Sequence, residues 1–146
     1  MSTSTDFADP RATTTLTVQI AAEADLLKVR AVLRSEAKEA GLNLTAATKF
    51  VTAGSELARN IFKYATHGQG VATIESTEVN GRRGVRATFR DEGPGIEDME
   101  AAMRDGFSTA DSLGLGLPGS RRLVDEFSIE SDVGKGTTVT ITQWSR

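Results

Sequence analysis

Residues 89–119 read FRDEGPGIEDMEAAMRDGFSTADSLGLGLPG, and this stretch constrains the fold more than any other part of the chain. Asp91 and Glu92 end an apolar-alternating run and lead straight into a tight turn, Gly93-Pro94-Gly95. After a polar span comes a second glycine cluster, Gly114, Gly116 and Gly119, with Pro118 where the first turn of a helix would accept it. Glycine lacks Cβ, so it accepts positive φ and lets the main chain touch what it binds. Two such turns about twenty residues apart predict two backbones brought close to one ligand. A helix start adds unpaired N–H groups and the positive end of the helix dipole, both of which favour phosphate. The pattern therefore predicts a nucleotide pocket, acidic at one end and phosphate-binding at the other.

The flanking sequence supplies a scaffold for that pocket. Residues 1–14 are rich in Ser, Thr and Asp and are expected to form a flexible tail, leaving residues 15–146 as one domain. Leu16, Val18 and Ile20 alternate with polar residues and predict a short strand. Leu26, Val29, Leu33 and Ala37 recur at helical spacing over residues 22–40, with Gly41 at the expected stop. Residues 71–79 and 85–89 read as a hairpin turning at Asn80-Gly81. Residues 96–113 join the two glycine clusters and are expected to act as a lid, within which Arg104 faces either a γ-phosphate or solvent. A helix opening at Pro118 runs on through Leu123 and Val124. Two closing strands, residues 127–131 and 137–144, flank the turn Gly134-Lys135-Gly136.

The helix expected over residues 45–65 carries a second constellation. Phe50, Leu57, Ala58, Ile61, Phe62 and Ala65 share one broad apolar face. Glu56, Asn60 and Lys63 fall at i, i+4 and i+7, which aligns them in a polar stripe away from that face. The stripe has two readings. Asn60 as a Mg²⁺ ligand, Lys63 on phosphate oxygens and Glu56 as a base would serve a metal–phosphate group. A solvated face with a Glu/Lys pairing accounts for the same spacing.

Composition narrows the class. Seventeen basic and twenty acidic residues leave a net charge of −3 with no basic block, so neither nucleic acid nor an anionic membrane is an expected partner. The absence of cysteine excludes disulfides and thiolate metal sites. No apolar run approaches a membrane span and the N-terminus lacks the pattern of a signal peptide, so a cytoplasmic location is expected. A Walker-type GxxxxGK[ST] loop is absent. Gly114, Gly116 and Gly119 satisfy GxGxxG, but the residues before them make too poor a strand for a dinucleotide fold. His67, the one histidine, lacks the surroundings of a phosphoacceptor, and a sensor-kinase role is not expected.

SELARNIFKYA, DEGPGI, LGLGLPG and GKGT, in that order, resemble the N box and three glycine boxes of the GHKL ATPase superfamily, which includes DNA gyrase, histidine kinases and MutL. ELARNIFKYA, DGFSTADSLGLGLPGSRRLVDEF and the terminal tryptophan are most similar to its small bacterial serine/threonine kinases, in particular the RsbT-type switch kinases of stressosome signalling. The resemblance implies the Bergerat fold, an α+β two-layer sandwich with a mixed sheet and helices on one face. It implies ATP and Mg²⁺ as cofactors. Asp91 would accept a hydrogen bond from the adenine amine, with Thr137 supporting the same edge. Gly93 and Gly95 would pass the base closely, while Gly114 and Gly116 would offer N–H groups to the phosphates. Asn60 would hold Mg²⁺, Lys63 would touch phosphate, and Glu56 would be the catalytic residue that orients or deprotonates the attacking hydroxyl. The implied partners are STAS-domain substrates and the regulatory domain of a PP2C-type phosphatase. An anti-sigma kinase that sequesters a sigma factor and a non-catalytic, ATP-dependent binding module are the alternative readings.

Overall fold

The computed structural model describes residues 15–65, 69–92 and 116–145. The expected tail, the expected lid with Arg104, and His67 lie outside the described residues. Those described form β1 (Thr15–Ile20), α1 (Glu23–Glu39), α2 (Leu44–Tyr64), β2 (Gly70–Val79), β3 (Arg82–Asp91), α3 (Gly116–Leu123), β4 (Glu126–Asp132) and β5 (Gly136–Trp144).

Local chemistry sets the element ends. Asp25 Oδ2 accepts the N–H groups of Ala21 and Ala22 at 2.9 Å each, fixing the start of α1. Those two hydrogen bonds, helped by Lys28, hold the Asp25 carboxyl below its usual value. Gly41, at φ +83°, ends the helix. Its N–H reaches the Lys38 carbonyl at 3.0 Å while that of Leu42 reaches Ala37 at 3.1 Å, a Schellman pair. Asn43 Oδ1 caps α2 by accepting from Ala46 N at 2.8 Å. At the hairpin Asn80 and Gly81 have φ of +53° and +80°, the pair of positive values a type I′ turn requires.

The five described strands form one sheet in the order β1-β2-β3-β5-β4. The two-layer α+β arrangement matches expectation, but the sheet is not mixed: every described ladder is antiparallel. Two helices separate β1 from β2, so the chain travels out and back once and enters β2 beside the end of β1, with Gly70 opposite Ile20. β3 and β4 run in the same direction, yet β5 lies between them and no parallel ladder forms.

Register divides the sheet into two faces. One carries Ala72, Ile74, Val85, Ala87, Phe89, Val139 and Ile141, which pack with Val29 and Leu33 of α1 and with Phe50, Leu57 and Ile61 of α2 in a single core. The other face is polar. Thr17, Thr73, Thr88, Thr140 and Ser128 are register partners in one row across all five strands. Arg86 bonds Thr142 Oγ1 at 3.3 Å on this face, and the Trp144 indole donates to Glu126 at 2.6 Å.

On the inner face, the buried Gln143 amide replaces apolar packing with three hydrogen bonds. It donates to the carbonyls of Ala46 at 3.2 Å and Leu123 at 3.3 Å, and accepts from Asp125 N at 2.7 Å. One side chain therefore ties the first turn of α2 to the last residue of α3 and to the chain entering β4. Among the described residues, no helix is long and apolar enough to cross a membrane.

Two expectations follow from this packing. Burial, and then the neighbouring Glu39 charge, raise the Glu36 carboxyl above its ordinary value. A group raised in the folded state supports folding fully below its unfolded value and loses that support as pH rises through the folded one. Glu36→Gln should therefore raise the melting temperature near neutral pH, with the gain fading below the ordinary carboxylate value of 4.5. Melting curves across that range check it. Gly136 has φ +104°, and a Cβ there would collide with the Asp91 carbonyl and lie 2.8 Å from Glu92 Cα. Gly136→Ala should cost about 2–4 kcal/mol, read from urea unfolding.

Candidate nucleotide site

The apolar alternation of the inner face turns polar at one end of the sheet. β3 presents Val85, Ala87 and Phe89 inward and then Asp91; β5 presents Ile141 and Val139 and then Thr137; β4 presents Phe127 and Ile129 and then Ser131. Asp91 and Thr137 are direct register partners, as are Thr137 and Ser131, and Gly70 stands opposite Asp91 on β2. Gly70, Asp91, Thr137 and Ser131 thus form one transverse row. Ser131 Oγ lies 2.9 Å from Thr137 Oγ1 and donates to the Gly136 carbonyl at 3.2 Å. Gly136 lets β5 approach the end of β3 closely enough for this row to close, because any side chain there would meet the Asp91–Glu92 backbone.

Helix α2 passes over the same end of the sheet. A Cβ on Gly70 would lie 2.7 Å from Ile61 Cγ2, so Ile61 occupies the space beside Asp91 that a larger residue at 70 would fill. Asn60, the preceding residue, is half-buried, and Lys63 reaches the surface. Glu56 departs from the expected solvated stripe: it is only 8% exposed. The reason lies in packing, since α2 is covered by α1 on one side and α3 on another, and a helix flanked in this way buries more than its sheet-facing stripe. Glu56 Oε2 stands 4.0 Å from Arg59 Nη1, at the limit of an ion pair, while Oε1 is buried and makes no hydrogen bond among the described residues.

Helix α3 packs against α2 and brings Gly116 with it. Gly116 is buried at φ +71°, a value that its lack of a side chain permits. Ser120, on the same helix, is fully buried with its Oγ unpaired. Gly93, Gly95 and Gly114 lie outside the described residues.

These placements bring Asp91, Thr137 and Gly136 together and set Glu56, Asn60 and Lys63 along the helix that covers them. The sequence reading did not single out Ser131 or Ser120. Ser131 had a legible signal, because a polar residue two positions after Ile129, itself two after Phe127, interrupts a strand's apolar alternation as Asp91 does. Ser120 had none, since serine in a short helix is ordinary.

The donor set fits one kind of metal. Among the described residues, no group of three or more His, Cys, Asp or Glu side chains is placed to hold an ion. Mg²⁺ needs no such cage, as it keeps waters and substrate phosphates around one or two protein oxygens. The half-buried Asn60, whose amide oxygen is a neutral ligand, suits that arrangement.

Over residues 20–143 the chain matches the histidine kinase-like ATPase domain. It is 44% identical over 129 residues to the serine/threonine-protein kinase RsbT of Bacillus subtilis, a match covering 88% of this chain and 96% of that protein. It is 37% identical over 97 residues to the anti-sigma F factor of Geobacillus stearothermophilus, covering 63% of this chain and 65% of that one. The crystal structure of the RsbU and RsbW domains of a Mycobacterium tuberculosis protein superposes with a TM-score of 0.60 at 26% identity, covering 90% of this chain and 31% of that longer one. With the domain spanning most of the sequence and a kinase matched along nearly its whole length, the chain belongs to the histidine kinase-like ATPase family and is a serine/threonine-protein kinase within it.

Proposed function

We propose that this kinase moves the γ-phosphoryl group of ATP to a serine or threonine of a STAS-domain protein in general stress signalling, and that on release it engages the regulatory domain of a PP2C-type phosphatase in the cytoplasm. The observation that carries the phosphotransfer reading is the buried, unpaired Oε1 of Glu56. A buried carboxylate oxygen without a donor costs about 1–3 kcal/mol, a penalty relieved when a substrate hydroxyl donates to it. Phosphoryl transfer is mainly positioning and charge neutralisation, so few groups are needed.

Each residue then has a task. Asp91 accepts from the exocyclic amine of adenine, and Thr137, its register partner, serves the same edge. Gly93 and Gly95 lie along the base; Gly114 and Gly116 present backbone N–H groups to the phosphates. Lys63 balances phosphate charge, and Asn60 would hold Mg²⁺, which would supply further charge neutralisation to the phosphates. Glu56 orients the acceptor hydroxyl and receives its proton as the new phosphoester bond forms.

The partner reading draws support from the extent of similarity to RsbT, which exceeds that to the anti-sigma F factors in both identity and length. The anti-sigma reading is favoured by the second group of relatives, and a sigma factor is then the partner that co-purifies. A non-catalytic module has Glu56 against it, since a binding module gains nothing from an unsatisfied buried carboxylate.

Phosphotransfer from labelled ATP to STAS-domain proteins tests the proposal. Glu56→Gln and Asn60→Ala should each lower the rate at least about 100-fold. Glu56→Gln should leave ATP affinity within a few-fold of wild type. Normal turnover in Glu56→Gln would remove the base, and ATP binding without transfer to any candidate protein would favour the non-catalytic module.

A further inference from the structure

The two edges of the sheet are built differently. β4 forms one, with Glu126, Glu130 and Asp132 spaced along it. β1 forms the other, and from Thr15 to Ile20 it carries no ionisable side chain, no proline and no glycine. Its ladder with β2 is continuous over all six residues, without a bulge, and of the six only Ile20 is buried. An edge strand offers a row of N–H and C=O groups to any strand that fits, and charge, proline and bulges are the devices that block such pairing. β4 has the first of these devices. β1 has none, and among the described residues no strand pairs with its outer side.

Side-chain alternation along β1 decides what fits there. On the helix side Ile20 is in the core, Val18 packs at its margin, and Leu16, the next in the alternation, is left 37% exposed. Thr15, Thr17 and Gln19 lie on the other face. A strand that pairs here must bring an apolar residue to Leu16 and uncharged polar ones to the threonines. A second β1, running antiparallel with Thr17 opposite its own copy, does both: Leu16 meets Val18 of the second copy and Thr15 meets Gln19, each pair on one face. No charge opposes a like charge. The same operation on β4, centred on Ser128, would set Glu126 against Glu130, which repel. We propose that β1 is a dimerisation strand, through which two copies of this chain join edge to edge, five strands from each forming one antiparallel sheet. The interface is isologous, about a two-fold axis perpendicular to the sheet, so both helix layers lie on the same side. The polar row of Thr17, Thr73, Thr88, Thr140 and Ser128 then runs unbroken through both copies.

Sedimentation of the full chain should show a concentration-dependent dimer. Thr17→Lys, which sets two ammonium groups across the axis on the solvent side, should raise the dimer dissociation constant at least about ten-fold, and Thr17→Ala should change it far less. Because the chain contains no cysteine, a single introduced thiol reports the contact cleanly. Thr17→Cys should give a disulfide-linked dimer on mild oxidation, since directly opposed Cβ atoms lie about 4.5–5.5 Å apart, near the reach of a disulfide. Ser128→Cys on the β4 edge and Thr88→Cys in the middle of the polar face should not. A wild-type chain that stays monomeric at every concentration overturns the proposal. So does a dimer that survives Thr17→Lys, or one that cross-links through Ser128→Cys, meaning pairing at β4, or through Thr88→Cys, meaning two stacked sheet faces. Should Thr17→Lys fail to fold, the pattern of cysteine cross-links decides by itself.

Discussion

The distance between α2 and the sheet governs the rest of the molecule, and two glycines set it. On the helix side, a Cβ at Gly54 would lie 2.6 Å from Leu33 Cδ1 and 3.3 Å from Phe89 Cζ. On the sheet side, a Cβ at Gly70 would lie 2.6 Å from the Arg90 carbonyl and 2.7 Å from Ile61. The helix is pressed down at both points, with no room for one added methyl group in a close-packed interior. Glu56 lies between them along the chain and is carried inward with its neighbours Leu57 and Ala58. Its burial is thus a consequence of how closely α2 is packed, on the sheet below and against α1 and α3 beside it, rather than of any local polar pattern.

The opposite layer meets that helix with a graded surface. Beyond the buried Gln143 of β5, the inward positions along β3, β4 and β5 are apolar until the last, where Asp91, Ser131 and Thr137 appear side by side. The apolar residues hold the layers together through the hydrophobic effect. The polar ones sit where the sheet ends, in the row that the proposed nucleotide site uses. The candidate site therefore continues the same alternation that builds the core, which is why Gly136 bears on both stability and the geometry of that row.

Among the described residues, two buried side-chain oxygens, Glu56 Oε1 and Ser120 Oγ, make no hydrogen bond. A protein selected only for stability would not retain them, because each is costly to desolvate. The Gln143 amide shows how the same fold treats a polar group whose role is structural: all three of its hydrogen bonds are made within the protein. The contrast separates the closed end of the sandwich from the end proposed to bind nucleotide.

Much of this was determined by the sequence alone. Period-two and period-3.6 patterns, Gly41 and Asn80-Gly81 mark the elements, since helix ends and type I′ turns depend on residues within a few positions of each other. The two glycine clusters and Asp91 pointed to a nucleotide pocket for the same local reason, while adenine was implied only by their resemblance to a known family. Tertiary structure decided what depends on distant partners. It made the sheet antiparallel throughout, because β5 is inserted between β3 and β4. It buried Glu56, because α1 and α3 close over α2. It joined Ser131 to Thr137, because register between strands is fixed by packing of whole faces. None of these can be read from spacing along the chain, where only the residue's own element is in view.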